Sequence, residues 1–182
     1  MSKQMTPGRL EQKAGFTRKP DPLRGAISGL LAGLVGSLAM DLVQRAIAKL
    51  QPSDNDSADS EPATEQAADM VSKAVTGQAV PEAAKPVAGQ GVHYLFGGIL
   101  GLSYGIAAEY SPEVTAGRGS AFALCSAMLF DEAAVPAAGL GKPPWEADIS
   151  THAYTFASHL MFGTVTEGAR RLIRSAISSS QR

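Results

Sequence analysis

Long uncharged runs alternate with short charged ones along this chain, and the runs have the length of a membrane. Val87 to Ala108 is 22 residues without a charge, closed by Lys85 and Glu109; ~20 apolar residues cross a hydrocarbon core of ~30 Å. Ile149 to Thr166 is a second run, bounded by Asp148 and Glu167. Gly25 to Met40 is a third, and its apolar pattern continues past Asp41 to Ala48. Asp41 and Arg45 stand four apart, where helical residues can neutralise each other. Gly119 to Gly141 is a fourth, interrupted at its middle by Asp131 and Glu132. The pattern predicts an all-α fold: a four-helix transmembrane bundle with spans at about 25–48, 87–108, 119–141 and 149–170.

The polar segments fill in the organisation. Residues 1–24, with Pro7, Pro20 and Pro22, read as a flexible cytoplasmic arm ahead of a membrane domain at 25–177. Residues 51–86 form an acidic loop. Within it a short amphipathic helix is expected at about 61–76, with Ser60 as N-cap and Gly77 ending it. Its acidic face predicts a cap on the outer end of the bundle rather than attraction to anionic lipid. Ser37-Leu38-Ala39 faintly resembles a signal-peptide cleavage site, but the continuation to Leu50 predicts a retained helix.

Charge fixes the expected orientation. With both termini inside, Lys3, Arg9, Lys13, Arg18, Lys19, Arg24, Arg118, Arg170, Arg171, Arg174 and Arg182 are cytoplasmic, eleven of the 16 Lys and Arg. That excess has the sign of the positive-inside rule. A net charge of −1 argues against a basic nucleic-acid binder, and Cys125 alone excludes a disulfide scaffold.

Two features carry candidate chemistry. Gly25, Gly29 and Gly33 are spaced by four, as are Gly97, Gly101 and Gly105. Such stripes let helix backbones approach closely in lipid, within one chain or between copies. The second feature is a set of ionisable groups at membrane depth. Asp131 and Glu132 lie about twelve residues, roughly 18 Å, into their span. Each should face the bundle, be protonated or be paired. Pro136 has no N–H, so the carbonyl of Glu132 is expected to lose its helical partner. His159 lies at similar depth and is expected to bond to Asp131 or Glu132, forming a polar or proton-exchanging cluster. His93 and His152 form a second candidate polar site at the outer face. No tight metal-ligand spacing is present, and neither a metal nor any other cofactor is expected. There is no phosphate loop, nucleophile elbow or His-Glu-x-x-His run, so no enzymatic activity is expected.

The ordered set His93-Tyr94, Gly97, Gly101, Asp131-Glu132, Pro136, Thr151-His152 and His159 resembles the YagU-like family of bacterial inner-membrane proteins, a domain of unknown function. The similarity covers about residues 25–173 and is strongest over 90–170. It implies a multi-pass protein of the cytoplasmic membrane and brings no activity or catalytic residue with it. The resulting expectation is a non-enzymatic structural or interaction protein packed through its glycine stripes. One alternative is a proton- or ion-coupled channel or transporter using Asp131, Glu132 and His159. Another is a soluble helical binding domain. The expected partners are the lipid bilayer and, for the transport alternative, further copies in a homo-oligomer. No nucleic-acid partner is expected, and the substrate is left undetermined.

Overall fold

The computed structural model describes residues 19–50 and 61–179, and every regular element among them is helical. Most of the N-terminal arm and the start of the acidic loop, including Ser60, lie outside the described residues. Helix α1 runs Pro22–Leu50 and α2 runs Ala63–Thr76. Helix α3 runs Lys85–Tyr110 after a short 3-10 turn at Glu82–Ala84. A tight connection at Pro112–Gly119 leads into α4, Ser120–Ser126. This passes into a π-helical segment, Ala127–Ala134, and a last turn, α5, at Val135–Ala137. After a 3-10 turn at Pro144–Glu146, α6 runs Ile149–Ser179.

Among the described residues three helical stretches are long and apolar enough to cross a membrane: Pro22–Lys49, Glu82–Tyr110 and Pro112–Ala137. Helix α6 is not among them, although its 31 residues exceed the length required. His152, His159 and a series of Ser and Thr dilute its apolar character.

The distribution of side chains is that of a membrane protein. Residues buried at 0% exposure are small or hydroxylated: Ser28, Ala32, Ser37, Ala123, Ala127 and Thr166. Leu23, Leu42, Leu95 and Leu129 are each at least 60% exposed. The chain itself buries 33% of the apolar window in each of the first two spans and 17% in the third. Water would penalise that much exposed apolar surface, and hydrocarbon does not.

The interior is organised by glycine. Helices α1 and α3 run antiparallel with their stripes face to face, Gly25 against Gly105, Gly29 against Gly101 and Gly33 against Gly97. A Cβ on Gly101 would stand 2.6 Å from the Gly33 Cα and 2.8 Å from its nitrogen. Both are backbone atoms, so no side-chain rotation could relieve the clash. Helix α6 lies against α1 at Gly36, opposite Phe162 and Thr166, and against α4 at Gly163, opposite Ala123. Gly119 needs to be glycine on two counts. Its φ is +90°, and an added Cβ would lie 3.0 Å from the Glu167 Cβ.

Helix α2 packs on α3 and shares the lining of one cavity with α1. Pro62 occupies its N-cap position, and Gly77, at φ 75°, closes it with an N–H donated to the Lys73 carbonyl. Asp69 pairs with Lys73 at 2.6 Å and accepts the Val80 N–H at 2.8 Å. Those two donors hold its carboxyl below the usual carboxylate range. Lys85 bridges Glu61 and Glu82. Asp69 thus ties α2 to the connection that follows it, and Lys85, the first residue of α3, ties the segment ahead of α2 to α3.

The region of Pro136 differs from the expectation of a free Glu132 carbonyl. The chain arrives there in π register, with the Val135 N–H donated to Phe130. Counting five residues forward places the missing Pro136 N–H opposite the Asp131 carbonyl rather than that of Glu132.

The glycine contact generates a paired prediction. Gly101→Ala inserts a methyl group into the α1 backbone and is expected to destabilise the detergent-solubilised protein by about 1–3 kcal/mol. Gly91→Ala, in the same helix but with nothing within 4 Å of the new Cβ, is expected to stabilise by up to about 1 kcal/mol through helix propensity. Thermal unfolding of the two variants checks the contrast, and equal shifts would show that the stripe is not a close contact.

Candidate functional site

The polar groups of the bundle segregate to its two ends, because α1, α3 and α6 each carry charge where they leave their apolar stretch. At one end lie the start of α1, the end of α3 and the lower half of α6. Glu167 is 1% exposed there, although it stands beside the end of an apolar run. It accepts Arg170 Nε at 2.7 Å and Arg170 Nη2 at 3.0 Å, and pairs again with Arg171. The Tyr104 hydroxyl donates to the same carboxylate at 2.9 Å, and the Arg170 guanidinium lies 5.8 Å from the Tyr104 ring centre. Glu109 accepts Arg174 Nη2 at 3.0 Å and the Asp21 N–H at 3.1 Å. Arg174 is held in its charged form by that carboxylate. One ionic cluster therefore ties α1, α3 and α6 together.

The other end is open. A cavity of about 610 Å³ lies between α1, α2, α3, the π-helical segment and α6. Asp131, His93 and His159 all line it, with Phe96, Phe130 and Phe162 as aromatic wall. Asp131 Oδ2 is 3.5 Å from His159 Nδ1. The same nitrogen is 3.1 Å from the Thr155 carbonyl, which can only accept, so Nδ1 carries a proton. Asp131 remains 41% exposed and His159 11%. Nearer the mouth, Asp41 accepts Arg45 at 3.0 Å and Gln90 at 3.0 Å. His93 Nε2 lies 3.4 Å from the Ser37 carbonyl.

The groups expected to cluster divide into two pairs. Asp131 goes to His159 in the cavity. Glu132, the next residue along and so turned about 100° around the helix axis, goes to His152 at 2.8 Å. His152 and His93 do not meet at a common outer site. His152 Nε2 lies 3.0 Å from the Pro144 carbonyl. Because that carbonyl only accepts, the Glu132–His152 pair holds one further proton between its facing atoms. Among the described residues no group of three or more His, Cys, Asp or Glu is placed to hold a metal ion. The six stripe glycines line the α1–α3 contact, and only Gly97 also borders the cavity.

Sequence reasoning used Glu109 and Glu167 only as the charged bounds of their runs and missed Tyr104, Arg170 and Arg174 as a buried cluster with them. A tyrosine inside an apolar span carries a hydroxyl that needs a partner. Two arginines three and four residues after one glutamate can both reach it. Those signals were present, but a solvated helix end shows the same spacing.

Glu167 yields a graded prediction. Glu167→Ala leaves the Arg170 guanidinium buried without its counter-ion and is expected to cost about 3–5 kcal/mol of stability. Arg171→Ala removes a partner that is 57% exposed and is expected to cost under about 1 kcal/mol. Unfolding of both variants in detergent checks the ratio, and similar losses would contradict a buried role for Glu167.

Comparison with known proteins follows the same outline. No curated protein and no solved structure is detectably similar to this chain. A family model described as a protein of unknown function (DUF1440) matches residues 41–168, from the Asp41 mouth of the cavity through Glu167. The chain belongs to that family, a domain of unknown function built here on three membrane-length apolar helices.

Proposed function

We propose that this is a multi-pass protein of a bacterial inner membrane, of the YagU-like kind, with no catalytic activity of its own. Its work is proton or ion exchange at the Asp131–His159 pair. The observation that carries this reading is an acid and an imidazole facing one half-open cavity inside an otherwise apolar bundle. Intramembrane carboxylates are costly in lipid, and their usual justification is a pathway for protons or ions. Glu132 and His152 form a second proton-holding pair alongside.

In this reading α6 is a fourth span. Its His159, Ser158 and Thr166 are buried against other helices, while Ile149, Met161 and Leu172 face outward. Its low overall hydropathy thus reflects its inner face rather than its lipid face. The ionic end, with Arg24, Arg170, Arg171 and Arg174, would be cytoplasmic, and the cavity would open toward the opposite side. A purely structural role for the glycine stripes is the second reading, favoured by their engagement within the chain. That engagement leaves the stripes themselves no free face for a partner, so a homo-oligomer would form through other surfaces.

Sealed liposomes containing the protein test the proposal. Under an imposed pH gradient, in sodium or potassium buffer, the native chain is expected to collapse the gradient faster than empty vesicles. The combined Asp131→Asn, Glu132→Gln and His159→Gln variant is expected to match empty vesicles. A native chain indistinguishable from empty vesicles would sink proton exchange and leave the structural role.

A further inference from the structure

The cavity has a chemical bias beyond its capacity to hold a proton. Its ionisable lining is Asp41, Glu65, Asp131, His93 and His159, and among the described residues neither Lys nor Arg lines it. Arg45 stands outside the lining, bonded to Asp41 and Gln90, and so balances the acid nearest the mouth. Asp131, on the π-helical segment, shares the lining with aromatic rings. Phe96 and Phe130 meet edge to face, with centres 4.7 Å apart, and Phe162 lies on the α6 side. Met40, Leu100 and Val135 complete an apolar wall. Ring faces attract cations, most strongly where water is excluded. The volume falls within the range of pockets that take small organic molecules, about 300–1,000 Å³. An inorganic cation would have no use for three phenyl rings. A neutral solute would make no use of the carboxylate's charge, and an anion would meet it head on.

We propose that this cavity binds a lipophilic organic monocation, an amine or quaternary onium, with its charge at the Asp131 carboxylate and its apolar body against Phe96, Phe130 and Phe162. The proposal rests on the reading above that the Asp131 cavity is the working site, and it names that site's occupant. The charged groups that act on Asp131 are His159 from α6, His93 from α3 and Glu132 from its own segment; Glu65 from α2 and Asp41 from α1, the latter paired with Arg45, line the same cavity. A bound cation competes with a proton for the Asp131 carboxylate: where the Asp131–His159 pair holds an extra proton, that proton leaves as H⁺ to the open side as the cation enters, and no bond other than O–H or N–H is broken.

Two probes of one shape and opposite charge decide the matter, tetraphenylphosphonium and tetraphenylborate, in equilibrium dialysis against the full chain in detergent. Tetraphenylphosphonium is expected to bind saturably at one site per chain, and tetraphenylborate only to partition into detergent. Asp131→Asn is expected to weaken binding by roughly tenfold or more, and Phe130→Ala by several fold. For the native chain, affinity is expected to fall by roughly tenfold between about pH 8 and about pH 5, as protons compete for the pair. This pH series stands even if a variant fails to fold. Equal binding of both probes, or affinity indifferent to pH, overturns the proposal. A chain that conducts protons in liposomes yet binds neither probe saturably refutes the cation assignment and spares the proton reading. Binding without any proton flux does the reverse.

Discussion

Backbone against backbone at the α1–α3 crossing is the constraint from which the rest of the architecture follows. In water, helices are driven together by burying Leu and Ile; in hydrocarbon that drive is absent, and association depends on close packing and interhelical polar contacts. Three glycines on each helix remove the side chains that would hold the axes apart. The large apolar residues are thereby released to the outside, where the chain leaves them exposed. The same logic is repeated at Gly36 and Gly163, where α6 meets α1 and α4.

Close packing over the middle of the bundle makes its two ends unlike. Toward Glu109 and Glu167 the helices converge on a dense set of ion pairs, with every oxygen of Glu167 engaged by an arginine or by Tyr104. Toward Asp41 and Gln90 they part around a cavity. Two hydroxyls, Ser37 and Thr166, are fully buried between these regions and have no hydrogen-bond partner among the described residues. A buried carboxylate saturated by arginines holds its charge and serves as a rivet. Asp131, at the wall of a cavity and close to the ring of His159, has far fewer donors to hold its charge. The difference between the two acids lies in the number of donors around them.

The π-helical segment gives the cavity its composition. A strict α register would bring Pro136 opposite the Glu132 carbonyl. The wider turn alters that register within the segment that carries Asp131 and Glu132, which pair with different histidines. Such segments are found often at functional sites. Here the segment places one acid among phenyl rings and the other beside the Pro144 loop.

The sequence by itself determined the helical class, three of the four apolar runs it offered as spans and the two glycine registers, because each depends only on local period and on the length of a bilayer. It also marked Asp131, Glu132 and His159 as misplaced in an apolar segment, since charge at depth is visible without knowing any neighbour. Tertiary structure alone decided which stripe met which, that Glu132 turns to His152 rather than to His159, and that Glu167 is interior while Asp41 is at a mouth. Those outcomes depend on the rotation of each helix about its own axis. A shift of one residue, about 100°, separates a cavity wall from a lipid-facing surface, and spacing along the chain carries no absolute reference for that angle.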